Sequence, residues 1–241
     1  MASASGHNKD FFDKEAASYD SKHGKTLDQI IEEIRARLDF FGVDWVDDDY
    51  DKDNDKTDGK TVRLLDYACG TGALAPYTTQ CIGIDLSEGM VAAYNARAEN
   101  QGISPAEMRA YQGNLCAASD PDPPPFASAE FFDFDVAAVG LGFHHFDDPA
   151  LAARRLAARL KTGGVLVILD FLPHGEIDPA HPASSTVTHH GFSVEQIKRI
   201  YEEAGVGKDF GLEEVGVVFF HGTADEPGMK RKIFIARGTK A

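Results

Sequence analysis

The chain contains no run of 18 apolar residues, so nothing in it reads as a membrane span. Cysteine is scarce: Cys69, Cys81 and Cys116 are scattered, odd in number and form no C-x-x-C pair. That pattern excludes a disulfide framework and a tight zinc site, and it reads as reduced core thiols of an intracellular protein. The first nine residues carry no apolar h-region, so no secretory signal is expected. Positive charge is short as well. The 24 Lys and Arg face 39 Asp and Glu, a net charge of −15. A phosphate backbone needs a basic surface, so a nucleic-acid substrate is not expected, and Lys230-Arg231-Lys232 is only a small basic cluster. There is no internal repeat. What is present, 241 residues of which 43% are hydrophobic, suffices for one domain with a core.

The informative stretch is Leu64-Leu65-Asp66-Tyr67-Ala68-Cys69-Gly70-Thr71-Gly72. An apolar, β-branched run ends in an acid and a glycine-rich turn, where Gly70 and Gly72 let the backbone bend and let a ligand approach it. Ile82-Gly83-Ile84-Asp85 is a second short strand, one strand-helix-strand unit further on and again ending in an acid. Asp85 is placed to accept hydrogen bonds from both ribose hydroxyls of a nucleoside. Gly70 to Ala75 also fits the loose G-x-G-x-x-G/A dinucleotide pattern, but Pro76 falls where the following helix should be established. Asp66, ahead of the glycines, favours a ligand with a cationic group.

These residues resemble motif I of the class I S-adenosylmethionine (SAM) methyltransferases, acid-x-Gly-x-Gly-x-Gly, matched by Asp66, Ala68, Gly70 and Gly72, with Ala replacing the first glycine. The resemblance implies SAM as cofactor and S-adenosylhomocysteine as product. It implies that Asp85 holds the ribose, that Leu86 and Met90 sandwich the adenine, and that Asn114, beside Leu115, accepts from the adenine amino group through its amide oxygen where the family usually has Asp. Phe11 to Asp20 is similar to the family's F-D-x-x-A-x-x-Y-D lead-in, which implies a lid with Tyr19 near the methionine end. On periodicity alone, the same segment is an amphipathic helix packing its aromatics on the core. Gly140 to Phe146, with His144-His145, resembles motif IV of methyltransferases of ubiquinone, sterol and polyketide-like small molecules. No Asn/Asp-Pro-Pro-Tyr motif of base or glutamine methylation is present. A strand end at Gly140 places these histidines beside the reactive end of the ligand. The candidate bases are His144, His145 and His189, and Tyr19 and Trp45 are candidate pocket walls.

The rest of the chain supplies the frame. Residues 1–10 read as polar and mobile, and residues 26–41 as a helix with a Thr26/Gln29 capping box, stopped by Gly42. Residues 47–60 are acidic. A calcium loop starting at Asp51 has Asp53 and Asp55 in register, but Lys56 stands where Gly is needed and Val62 where Glu is needed, so a solvated loop is expected and no metal. Ser87 caps a helix to about Gln101, residues 107–115 read as the third strand and 134–141 as the fourth. Asp148-Pro149 opens a helix to Leu160, ended by Thr162-Gly163-Gly164, before a fifth strand at 165–172. Residues 173–191, with four histidines (His174, His181, His189, His190), fit a substrate-covering loop. Ser193 and Gln196 cap a helix to about Ala204, and residues 213–221 and 230–237 read as a closing antiparallel hairpin.

The expected fold is α/β: a Rossmann-like doubly wound sheet of seven strands, mostly parallel with an antiparallel C-terminal strand, plus N-terminal helices. Residues 1–60 form lid helices and the acidic loop, and residues 61–241 the SAM-binding core. The expected activity is methyl transfer to a small organic acceptor in the cytoplasm or nucleus. A SAM-binding subunit of a regulatory complex, acting on a protein or supporting a partner, is the alternative reading, and NAD-type binding is a distant one. A protein partner or a homodimer stays open.

Overall fold

A computed structural model of the chain describes residues 4–46, 61–72, 78–177, 182–220 and 229–241. The acidic segment 47–60 with its calcium-type spacing, Ala73 to Pro76, His181 and the connection 221–228 lie outside the described residues.

Seven strands form one sheet. β1 (Arg63–Tyr67), β2 (Gln80–Asp85), β3 (Met108–Gln112), β4 (Phe134–Gly140) and β5 (Leu160–Phe171) are parallel. β6 (Lys208–Phe220) forms the edge, and β7 (Met229–Thr239) inserts antiparallel between β5 and β6, giving the order β3-β2-β1-β4-β5-β7-β6. This is the expected sheet, antiparallel C-terminal hairpin included. The strands read as near-continuous apolar runs because helices cover both faces. Leu65 and Tyr67 pack with α4 (Pro149–Arg159) and α5 (Val194–Glu203). Leu64, one pleat away, packs with α1 (Ala4–Arg35), α2 (Leu38–Phe41) and α3 (Glu88–Asn100). The chain runs from β1 outward to β3, then crosses back to β4 on the other side of β1. The reversal opens a crevice at the carboxyl ends of β1 and β4, where ligands of open α/β sheets bind.

Local signals held at the caps. The Ser87 hydroxyl accepts from Met90 N–H, Asp148 from Leu151 N–H, and Ser193 and Gln196 form a reciprocal capping box. The amino-terminal reading needs correction. Residues 4–10 are helical, and Thr26 does not cap a helix: it is buried within a continuous 32-residue α1. No proline interrupts residues 4–35, and Gly6 and Gly24 only weaken the helix. What holds the early turns is tertiary contact. Asp13 accepts from the Ser87 hydroxyl at 2.6 Å and Gly89 N–H at 3.0 Å, and Asp20 accepts from the Thr71 hydroxyl and Arg97 at 2.5 Å each. α4 also ends one residue early, because Leu160 already pairs with Phe134 as the start of β5. Among the described residues no helix is long and apolar enough to cross a membrane.

Burial alone would raise the Asp13 carboxyl, but hydrogen bonds from Lys9, Ser87 and Gly89 outweigh it and hold the group at about 2. The unfolded value is about 3.9. A carboxyl with a lowered folded pKa stabilises fully above the unfolded value and loses that contribution as pH falls through the folded one. Docking of α1 is therefore expected to weaken between about pH 4 and about pH 2. Urea melts across that window check it: wild-type stability should fall more steeply with acid than that of Asp13→Asn, and equal slopes contradict the docking role.

Candidate active site

A cavity of about 250 Å³ lies at the carboxyl ends of β1, β2 and β4 beneath α1. Its first wall is the turn after β1. Ala68 adopts φ 55, so the alanine that replaces the first glycine sits in the left-handed region, at a cost of roughly 1–2 kcal/mol for an L-residue. Gly70 lines the cavity at φ 51, and a Cβ built there meets no protein atom within 4 Å. Gly72 does not line it. A Cβ at Gly72 would stand 2.9 Å from Met108 Cε and 3.0 Å from the Tyr94 ring, so this glycine is required by packing behind the turn.

Asp85 closes β2. Its Oδ2 accepts from Gly70 N–H at 2.9 Å and its Oδ1 from Ser87 N–H at 2.8 Å. Each oxygen keeps capacity for another donor, and Asp85 lines the cavity. Burial raises its carboxyl above the ordinary range, and the two N–H groups oppose that shift. Leu86 and Met90 follow on the same wall, and Tyr19 enters from α1. The Tyr19 hydroxyl is pushed up to about 12, first by burial and then by the charges of Asp85 and Asp20. Asp66 lies behind the turn, 1% exposed, with Oδ2 lacking any partner, and burial followed by the Asp85 charge drives its carboxyl well up.

Asn114 lines the cavity, but its amide oxygen is already engaged by Cys116 N–H at 2.8 Å and the Tyr67 hydroxyl at 3.1 Å. The backbone donor fixes the amide orientation. The expected acceptor role therefore reverses, and Nδ2 is what Asn114 has to offer. Leu115 is a support behind the wall, 1% exposed, its N–H donated to the Tyr67 oxygen.

The second wall is the end of β4. Gly140 lines the cavity, and a single 3-10 turn, Phe143–His145, carries both histidines into it. His144 Nδ1 lies 2.9 Å from Asp170 Oδ1, and its N–H donates to Oδ2 at 3.1 Å. Phe171 N–H adds a third donor to the same fully buried carboxylate. Because a carboxylate only accepts, Nδ1 carries the ring proton and Nε2 is left as the basic atom. The His145 ring stacks on His144 at 4.0 Å, and its Nδ1 bonds Thr186 O at 2.7 Å. Burial, then the His144 charge, push it down to about 3, so it stays neutral. His189 does not reach the cavity: its Nε2 meets Phe146 O at 3.1 Å and its N–H donates to His144 O. The described part of the expected substrate-covering loop thus props the histidine turn and contributes no lining residue. Trp45 is not a wall of this site either. It donates to Leu38 O and lines a small apolar hollow with Ile34 and Phe41.

Sequence reading missed Asp170, although an acid closing the apolar run Val-Ile-Leu is the signal that singled out Asp85. It also missed Asn8 of α1, for which no sequence signal exists, since its role depends on where the helix docks, whereas Phe12 lies in the lid segment the lead-in motif singled out and does line the cavity.

Residues 65–168 match the family model described as a methyltransferase domain. Over 170 residues the chain is 29% identical to an uncharacterized methyltransferase of Schizosaccharomyces pombe, covering 66% of this chain and 58% of that protein. It is 32% identical over 117 residues to a demethylmenaquinone methyltransferase of Thermus thermophilus, covering 46% and 48%. The chain therefore spans about half the length of the curated relatives it matches. Phosphoethanolamine N-methyltransferase 2 of Haemonchus contortus, solved with phosphomonomethylethanolamine and S-adenosylhomocysteine, superposes with a TM-score of 0.63 at 17% identity. It covers 100% of this chain and 60% of that one, and at that identity the fold is what is shared. The methyltransferase-domain match runs from β1 into β5 over a sheet of this order, and together with these relatives it supports a class I SAM-dependent methyltransferase.

Proposed function

We propose that the chain moves the methyl group of SAM to a small organic acceptor, releasing S-adenosylhomocysteine. The observation that carries this reading is one cavity lined at one end by Asp85 and the glycine turn and at the other by His144, itself held by Asp170. The donor set fits the cofactor. Asp85 has a free acceptor site on each oxygen for the ribose hydroxyls, Leu86 and Met90 offer apolar surface for the adenine, and Asn114 offers Nδ2 to its edge. Ala68 and Gly70 leave backbone open to the ligand, and Gly140 and Tyr19 flank the reactive end. Asp66, which lies behind the turn and outside the lining, supports that turn rather than touching the ligand. Bound SAM supplies a methyl carbon on a cationic sulfur, already activated for displacement by a nucleophile.

The chain's own task is then mainly alignment. Where the acceptor atom carries a proton, His144 Nε2 takes it, with Asp170 as the positioning residue that keeps the proton on Nδ1. His145 is too weak a base at about 3 and serves as a wall. The alternative of a regulatory subunit draws no support from the surface: among the described residues Val194 is the one large hydrophobic side chain recorded as exposed. Three unpaired cysteines agree with a cytoplasmic setting.

Two measurements test the reading. In calorimetry with a melting check, SAM and S-adenosylhomocysteine should bind. At a hundred times its dissociation constant, each should add about 2.7 kcal/mol of stability. Asp85→Ala should abolish binding, and binding of NAD alone would contradict the cofactor assignment. In an acceptor screen that reads S-adenosylhomocysteine release, His144→Gln should lower turnover by roughly 10² to 10⁴-fold while leaving SAM affinity within about threefold. Unchanged turnover would remove His144 as the base.

A further inference from the structure

Asn8 of α1 lines the cavity and is only 7% exposed. Its Nδ2 donates to His145 O at 3.1 Å, which fixes the amide, because the flipped form would set oxygen against a carbonyl. Its Oδ1 is buried and meets no donor of the protein. A buried acceptor left unpaired is costly, and because Asn8 lines the cavity, a ligand bound there is a source of the missing donor. The contact to His145 places Asn8 at the histidine end, away from Asp85. The Phe12 ring stands 5.3 Å from the His145 ring at the same end, and Phe171 stacks on His144 at 4.8 Å.

Charge narrows the class further. Asp85, Asp147 and Asp148 line the cavity, and among the described lining residues there is no Lys or Arg. Asp147 and Asp148 stand at the exposed rim, so an acceptor bearing a carboxylate or phosphate would meet like charge on the way in and no counter-ion among the described lining residues. Phe12, Phe146 and Phe171 suit a flat apolar body.

Resting on the methyltransferase reading of this cavity, we propose that the acceptor is a neutral or cationic ring compound with an O–H or N–H donor, and that Asn8 Oδ1 accepts that donor. Asn8 is then a specificity-determining residue. It holds the donor-bearing end of the acceptor beside His144, so that phenols and aromatic amines are taken and aromatic acids refused.

The test uses the full chain saturated with S-adenosylhomocysteine, a step followed by calorimetry before any probe is added. Failure of that step sinks the methyltransferase reading and this inference with it. The probes are phenol, aniline, benzylamine, anisole, benzoate and phenyl phosphate. Phenol and aniline should bind about five- to tenfold more tightly than anisole, the value of one hydrogen bond, and the two anions should not bind measurably. In Asn8→Leu the preference for phenol over anisole should disappear with S-adenosylhomocysteine affinity unchanged. Asn8→Gln, which keeps both an acceptor oxygen and an N–H donor for His145 O, should retain it, and this guards against a folding defect in the first variant. Benzoate or phenyl phosphate binding as tightly as phenol overturns the inference. So does an unchanged preference in Asn8→Leu, the result expected if water satisfies Oδ1, and so does absence of binding by every probe to the loaded protein.

Discussion

The carboxylate of Asp85 joins three pieces of chain that are separate in sequence. One oxygen holds Gly70 N–H and so fixes the turn after β1, and the other holds Ser87 N–H at the start of α3. The group sits at the tip of β2, where burial works against its charge and the two backbone donors work for it. Hydrogen bonds to a charged group contribute about 1.5–3 kcal/mol, so removing this acceptor would free the glycine turn and the α3 cap together. The remaining capacity of its oxygens points to a ligand with paired hydroxyls. One side chain thereby shapes the cavity and reads what enters it.

The second organising element is α1, which runs across the mouth and is tied down by acids. Asp13 is held at the α3 amino terminus, where negative charge is favourable, and Asp20 lies on Thr71 and Arg97 next to the glycine turn. The Arg97–Asp20 pair is half-exposed and its charge interaction is worth little in water. The anchoring therefore rests more on the hydrogen bonds to Ser87, Gly89 and Thr71. These anchors put Tyr19, Phe12 and Asn8 over the three strand tips. His144 and Asp170 answer from β4 and β5, where a buried carboxylate with three donors sets the imidazole tautomer.

Much of this was legible in the sequence because its signals are local. The strand-turn-strand around Asp66 and Asp85, the caps at Ser87, Asp148 and Ser193, and the closing hairpin all follow from residues a few positions apart. What was not legible depends on long-range docking. α1 extends back to Ala4 because Asp13 meets α3, 74 residues away from Ser87. The Asn114 amide turns its oxygen inward because Tyr67 lies 47 residues off. His189 and Trp45 look chemically apt in a linear reading, but one is spent on Phe146 O and the other on Leu38 O. Asp170 could have been read, since it repeats the acid-at-strand-end pattern of Asp85.

The central claim is that one ligand site is built on the Asp85 junction and closed by α1. Hydrogen exchange of the full chain with and without S-adenosylhomocysteine tests it most directly. The account predicts slowed exchange at the amides of Gly70 and Ser87, along residues 8–20 of α1 and through residues 140–146. Slowing confined to β6 and β7, with Gly70 and Ser87 unchanged, would contradict it.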